Sequence, residues 1–551
     1  MDQSGWGRRM QMSVGRPMGV LRGGVGLLMG TLLCGLPRVG AGDFFPDGFL
    51  PSGYTTPEAA CQRTFQGHEG YIEYLRPNAW DQCGPLRYSC KTLWTDRPPS
   101  NRPSWWTINR IDHCDPEQYR QRGKNLGAAG CRHSAGTPTV SPLVGNPIHI
   151  GTGNKFHREP IYSGTLLRWG LYYNSRATEA DSLGPKWRHS FSAKVVAYRD
   201  PASGVETAIV HRPDGGYYVY HEQEGLWVAD PDVNDSLTRA QDVDDSTLGW
   251  AYRRADDVAE GYDAQGRLIS LTDPGGRTTT LSYSGHFLAR VAAEDGEALS
   301  LEYTASSLSA VSDQTGRRWA FAYAASHNLA AVIDPDATPW DESDNPRRQY
   351  HYEDARFPNH LTGISDRRGI RYASYAYDER GRAISSSHAD HADRVDIVYH
   401  PDGSRTVTNG RGAQSTYTTV VRAGTSLVTG VSGPGCPGCG SGDTVYTYDA
   451  RNHLSARTEH GLTTRYGDYD AQGQYGYRIE AAGTPEARRL TFTYDPRFHG
   501  RLTSITEPSV YPGHSRRTTY RYDALGNRLS EEVSGYDPQG TPGLAHDALC
   551  V

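Results

Sequence analysis

Tyr262-Asp263-Ala264-Gln265-Gly266-Arg267-Leu268 has the chemistry of a β-hairpin turn. An Asp at the head of a turn accepts hydrogen bonds from the backbone just after it. A Gly three residues later takes the left-handed conformation that closes the turn. The Tyr before and the apolar residue after then face each other across two antiparallel strands. Tyr377-Asp378-Glu379-Arg380-Gly381-Arg382-Ala383 repeats the pattern, as does Tyr522-Asp523-Ala524-Leu525-Gly526-Asn527-Arg528-Leu529 with Asn527 in place of Arg. Partial copies stand at Tyr469-Asp470 with Gly473, and at Tyr536-Asp537 with Gly540. Tyr448-Asp449 carries Asn452 at the Gly position, the best substitute for Gly there. The turn half recurs without Tyr at Asp273, Asp313 and Asp366. A single hairpin cannot bury its face alone, so neighbouring units must stack.

The copies are unevenly spaced, which disfavours a strict-period propeller or solenoid. The turn reading also takes precedence over an acid–base role for these Asp residues, because the Asp–Gly spacing is what a turn needs. Composition agrees with an all-β chain. Among 551 residues there are 35 Tyr against 11 Phe, 62 Gly and 5 Met, as expected of short strands with half-exposed aromatic faces. The net charge is −6 and no basic stripe stands out, so nucleic acid is excluded as a partner.

Strand patterns continue upstream. Leu167, Trp169, Leu171 and Tyr173 fall on one face, and Leu166, Arg168, Gly170 and Tyr172 on the other. Trp187 and Phe191 are expected to pack on that sheet. Further strands are read at 194–198, 208–210 and 217–220, with Pro213-Asp214-Gly215-Gly216 as a tight hairpin. Asp230-Pro231-Asp232-Val233-Asn234-Asp235 begins like a calcium loop. It has Asp235 where that loop needs Gly and Gln241 where it needs Glu, so a solvated acidic loop is expected. His149, His157 and His189 are too spread for a metal site and read as structural.

The first residues read as an export signal: Arg8, Arg9, Arg16 and Arg22, a short apolar run at 23–36, and Val39-Gly40-Ala41 as cleavage site. The domain plan is residues 1–41 as signal peptide and 42–142 as a Cys/Trp-rich module with linker. Residues 143–255 precede the repeats, and 256–551 form a repeat region incomplete at its C-terminus. The expected location is secreted or cell-surface, with the membrane met only through the export signal. Cys61, Cys83, Cys90, Cys114 and Cys131 read as disulfide candidates in an oxidising compartment, and as five is odd, either one partner comes from elsewhere or one thiol stays free. Cys550 is one source of it. Trp80, Trp94, Trp105 and Trp106 either fill that module's small core or offer faces to carbohydrate. Cys436-Pro437-Gly438-Cys439 is read as a small-loop disulfide in preference to a redox pair or half a zinc site.

Three ordered blocks precede the repeats: Gly145-Asn146-Pro147 through Thr152-Gly153-Asn154-Lys155, Tyr172-Tyr173-Asn174-Ser175, and Leu183-Gly184 through Trp187-Arg188-His189-Ser190. Together they resemble the domain that introduces the repeat array of bacterial Rhs proteins, the YD-repeat family. With the repeats, the resemblance covers roughly residues 143 to 541. It implies a β-sheet ribbon spiralling into a partial hollow shell. It also implies that the family's later repeats, its closing core motif and its variable toxin lie beyond the residues present here. The resulting expectation is a non-enzymatic structural protein without cofactor or metal. It would be part of a shell that encapsulates and delivers a downstream-encoded toxin in competition between bacteria. Two alternatives stand beside it: a surface module binding glycans through Tyr and Trp faces, and a thiol redox protein using Cys436 and Cys439.

Overall fold

Thirty strands, from Lys194–Arg199 to Arg528–Ser534, form one sheet in which each strand pairs antiparallel with the next in sequence. This all-β ribbon belongs to a computed structural model that describes residues 123–127, 140–199, 204–241, 247–336, 338, 343–434 and 442–535. Ahead of these it gives the backbone of four strands, Phe44–Pro46, Glu73–Tyr74, Leu86–Thr92 and Ser104–Arg110, which make a separate small sheet. Cys90 lies on one of them, opposite Trp106. Cys61, Cys83, Cys114, Cys131, Cys436, Cys439 and Cys550 lie outside the described residues, as do the export signal and the Tyr536 repeat copy.

In many of the strands one face is turned into the core. In Phe287–Ala293, Leu288, Val291 and Ala293 are buried. In Ser307–Asp313, Leu308, Ala310 and Val311 are buried. The turns alternate between the two edges of the ribbon, because every strand reverses direction. Strand order places the Tyr-bearing turns after Asp263, Asp378, Asp449, Asp470 and Asp523 all on one edge. The turns without Tyr, after Asp273, Asp313 and Asp366, fall on the opposite edge.

The pairing register slips beside the tyrosine on that first edge in hairpin after hairpin: Gly261/Tyr262, Ser282/Tyr283, Glu302/Tyr303, Ala322/Tyr323, Ala376/Tyr377, Thr447/Tyr448, Thr493/Tyr494 and Arg521/Tyr522. A bulge lengthens one strand locally and increases twist. Bulges concentrated on one edge, against one beside the opposite-edge turn at Asp366, curl the ribbon predominantly in one sense, so it winds back on itself. Asp232 Oδ2 accepts from Thr425 Oγ1 at 2.8 Å and Asn452 Nδ2 at 3.0 Å, and Arg451 Nη2 donates to Asn234 Oδ1 at 2.8 Å. These bonds join residues 193, 220 and 217 positions apart. They bring the Tyr-free edge of one winding against the Tyr-bearing edge of the next.

The acidic loop at 230–235 therefore departs from the solvated loop expected. Asp232 is buried in the seam between windings and pairs with Lys124 as well. Asp235 accepts from the Tyr252 hydroxyl and the Ala255 amide. The stretch 123–127, within the region read as module and linker, docks on the ribbon: Leu126 is buried with Ile209, Tyr217 and Ala177.

Candidate functional site

The residues before the ribbon meet it along a continuous junction. Asn154–Ser163 and Arg168–Asn174 form a hairpin whose strand of 10 residues spans ~33 Å at the usual rise. That is enough to cross the ribbon from edge to edge. At one end Ala383 N donates to Gly153 O at 2.9 Å. At the other, Glu297 holds the hairpin's tip. Its carboxylate accepts from the backbone amides of Thr165, Leu166 and Leu167 at 2.5, 2.9 and 2.8 Å.

Between these ends lies a buried ion-pair network. Arg348 donates one arm to Glu159 and the other to Asp334 Oδ1 at 2.9 Å. Arg367 Nε reaches the second Asp334 oxygen at 2.7 Å. Burial alone would raise the Glu159 carboxyl, but the His157 hydrogen bond and the Arg348 charge outweigh it and hold it below its ordinary value. Lys155 is fully buried, donates to Phe156 O and sits 4.3 Å from the Tyr375 ring centre. Burial pulls its ammonium well below the ordinary lysine range.

Around the network Trp187 packs against Tyr350 at 4.7 Å and Tyr173 at 5.3 Å between ring centres. Trp187 Nε1 donates to the Tyr352 hydroxyl at 2.8 Å. Tyr173 Oη donates to Asn359 O at 3.0 Å and accepts from Leu361 N at 2.8 Å. Arg405 reaches the carbonyls of Ile150 and Gly151 at 3.1 and 3.0 Å. Of the three histidines read as structural, His149 and His189 each accept from a nearby backbone amide, and His157 bonds Glu159 at 3.2 Å. Among the described residues no three His, Cys, Asp or Glu side chains converge on a metal position.

The repeat residues act in the ribbon itself. Asp263 Oδ1 accepts from Gln265 N at 3.0 Å and Arg267 N at 2.9 Å, while Oδ2 accepts from Arg267 Nε at 2.7 Å. Asp378 does the same with Arg380 and Arg382, and Asp523 with Leu525 and Asn527. Gly266, Gly381 and Gly526 have φ of 75°, 68° and 79°, and Asn452 has 61°. Tyr262 faces Leu268, Tyr377 faces Ala383 and Tyr522 faces Arg528.

A further role of the tyrosines was invisible in the sequence. Tyr377 Oη donates to Leu361 O at 2.7 Å, and Tyr522 Oη to Leu502 O at 2.8 Å. Tyr283, Tyr323, Tyr399, Tyr448, Tyr469 and Tyr494 likewise reach Leu268, Leu308, Ala383, Val428, Leu454 and Tyr475. Each hydroxyl thus stitches its hairpin to the preceding one on the same edge. Tyr262 departs from this pattern, donating to Glu260 Oε2 at 2.6 Å beside the buried Arg212–Glu260 pair.

Residues 262–298 match the RHS Repeat family model. This stretch of the chain is similar to RHS repeats. Residues 145–220 match a second model, a domain of unknown function (DUF6531), which covers much of the junction. No curated protein matches the chain. Similar solved structures include one of TcdB2-TccC3-Cdc42, at 12% identity over 86% of this chain with a TM-score of 0.35. Another is the Tc holotoxin pore of Photorhabdus luminescens, at 11% identity over 88% with a TM-score of 0.31. The chain spans 27% and 30% of the lengths of those two chains.

Proposed function

We propose that this chain builds part of the wall of an exported β-shell that encloses a toxin encoded downstream and delivers it in competition between bacteria. The observation that supports this reading is the seam. A ribbon that returns to its own opposite edge after about two hundred residues extends its wall by each further winding. The junction supports it as well, because a hairpin laid across the ribbon and pinned at both ends braces the first winding. The chain's own role in this reading is structural: it encloses, and its residues perform no chemistry on the cargo.

The test uses the natural protein, expressed with whatever is encoded next to this chain and digested with a broad-specificity protease. The expected result is a downstream segment protected in the native protein and cut after the seam is weakened by Asp232→Ala with Arg451→Ala. Equal cleavage in both forms overturns enclosure. Co-culture of producing and deletion strains checks the competitive role, which fails if sensitive neighbours survive equally.

A further inference from the structure

We infer that the junction is an acid-released latch: in mild acid the block of residues 145–192 lifts off the ribbon at His211 and His360, while the ribbon itself stays paired. The two parts are built to separate. Strands of the block pair in small sheets of their own, and the ribbon's strands pair only with one another. Among the described residues no strand ladder therefore crosses the junction. Beside the ion pairs and ring contacts described above, single amide bonds cross it. Leu308 N donates to Ser182 O at 2.8 Å, Leu361 N to the Tyr173 hydroxyl at 2.8 Å and Ala383 N to Gly153 O at 2.9 Å.

The ribbon supplies both histidines, and the block meets each with cations. His211 ends the strand Glu206–His211 and is 2% exposed, with the Tyr217 ring 5.5 Å from its own. Its Nδ1 lies 3.6 Å from Glu179 Oε2. That oxygen already faces Lys194 Nζ at 3.4 Å and Arg188 Nη2 at 3.8 Å, and Arg188 Nε lies 3.8 Å from Asp181 Oδ2. Two cations thus stand against two carboxylates, and a proton on His211 would add an unmatched positive charge to a buried group. His360 is 8% exposed, with the rings of Phe357 and Tyr377 at 4.8 and 4.7 Å. The charged groups facing it are Lys186 and Arg176 of the block and Asp354 of the ribbon, whose carboxylate already holds Arg356.

Protonation at either place therefore goes with separation. Burial first, and the facing cations second, hold both histidines at about 3 while the junction is closed. Lifted into water, each returns towards the ordinary value of about 6.5. The open form then binds protons that the closed form refuses, so closure is favoured above pH ~6.5 and loses ground as pH falls below it. Each histidine raises the open-to-closed ratio about 30-fold between pH 7.5 and 5, and the two together about 900-fold. This device belongs to the junction alone and stands whether or not the shell encloses a cargo.

Hydrogen exchange of the whole chain at pH 7.5 and 5 tests the latch, read at single residues by electron-transfer fragmentation and corrected for the pH dependence of the chemical step. The amides of Leu308, Leu361 and Ala383 should open at least 100-fold more at pH 5 and recover at pH 7.5. Amides within 502–522, in the far winding of the ribbon, should change less than threefold. His211→Asn and His360→Asn should each lower the ratio between the two pH values about 30-fold, because each removes one proton uptake. A residue that only packs would shift both pH values alike and leave that ratio unchanged. A rise under 100-fold in the natural chain, an equal rise within 502–522, or a ratio unchanged in either variant overturns the inference.

Discussion

Replacing Arg348 by Met tests whether the junction is held by its buried ion pairs. Methionine keeps most of the volume and removes the charge. Glu159, 6% exposed, then keeps only the His157 and Tyr350 contacts, at 3.2 and 3.3 Å, neither of which carries a fixed positive charge. Asp334 retains Arg367, so the uncompensated charge falls on Glu159. Removing one partner of a buried pair costs about 3–5 kcal/mol, and one tenfold change corresponds to about 1.4 kcal/mol. Amides of the Asn154–Ser163 strand should therefore exchange with solvent ~150- to 4,000-fold faster, if their exchange reports opening of the junction. Glu159→Gln in the same background removes the stranded charge, so the double variant should recover much of the loss. Hydrogen-exchange mass spectrometry reads both variants against the natural chain. A rise under tenfold in peptides covering 154–163 and 347–351, or strict additivity of the two changes, refutes the role assigned to this pair.

Gly266→Ala and Gly276→Ala separate crowding from backbone strain. Both glycines have positive φ, but a Cβ at 266 would lie 1.9 Å from the Val195 carbonyl oxygen, whereas one at 276 meets nothing within 4 Å. Thermal melting should show a loss of about 1–2 kcal/mol for Gly276→Ala and a clearly larger one for Gly266→Ala, and equal losses would refute the close approach. Tyr399→Phe keeps the ring on Arg382 and leaves the Ala383 carbonyl unpaired, so a loss of about 1–3 kcal/mol is expected in the same assay, against none if the stitching is idle. Burial depresses His189 to about 4, and His211 and His360 to about 3. The unfolded chain takes up these protons below pH ~6.5 while the folded chain does not, so stability falls as pH drops from 6.5 towards 4, by at most ~4 kcal/mol per unit for the three together. His211 faces Glu179, Lys194, Arg188 and Asp181, His189 faces Asp181 and Arg188, and His360 faces Lys186, Arg176 and Asp354. A melting temperature unchanged between pH 7 and 5 would contradict this.

Local chemistry was legible in the sequence and long-range chemistry was not. Asp263, Gly266 and the Tyr262–Leu268 pairing lie within seven residues, and their turn geometry follows from side-chain reach and backbone freedom alone. The facing of Leu167, Trp169, Leu171 and Tyr173 follows from period two, and all four are buried. Glu297 gave no signal, because its three acceptor bonds go to residues 130–132 positions away. Arg348 and Glu159, 189 positions apart, were silent for the same reason. The loop at 230–235 misled because an acidic run reads as solvated until the next winding brings Thr425, Arg451 and Asn452 to it.

The bulges connect the two scales. Most arise beside a tyrosine on one edge, and at Tyr262, Tyr377, Tyr448 and Tyr522 a turn closed by Asp and a left-handed Gly or Asn is followed by one extra residue on the returning strand. A flat ribbon would leave its Tyr-bearing edge facing solvent along its whole length, with every turn aspartate satisfied locally. Curling by a bulge in hairpin after hairpin makes the two edges meet, and this joins Asp232 to Thr425 and Asn452, and Asn234 to Arg451. The repeat motif therefore sets the winding through curvature and leaves its fastening to residues outside the motif. Weakening the seam with Asp232→Ala should loosen contact between windings while the Asp263 and Asp449 turns stay intact. Deleting the bulge residue Ile269, by contrast, should shift the register of the strand that begins at Leu268 and disturb the curl itself.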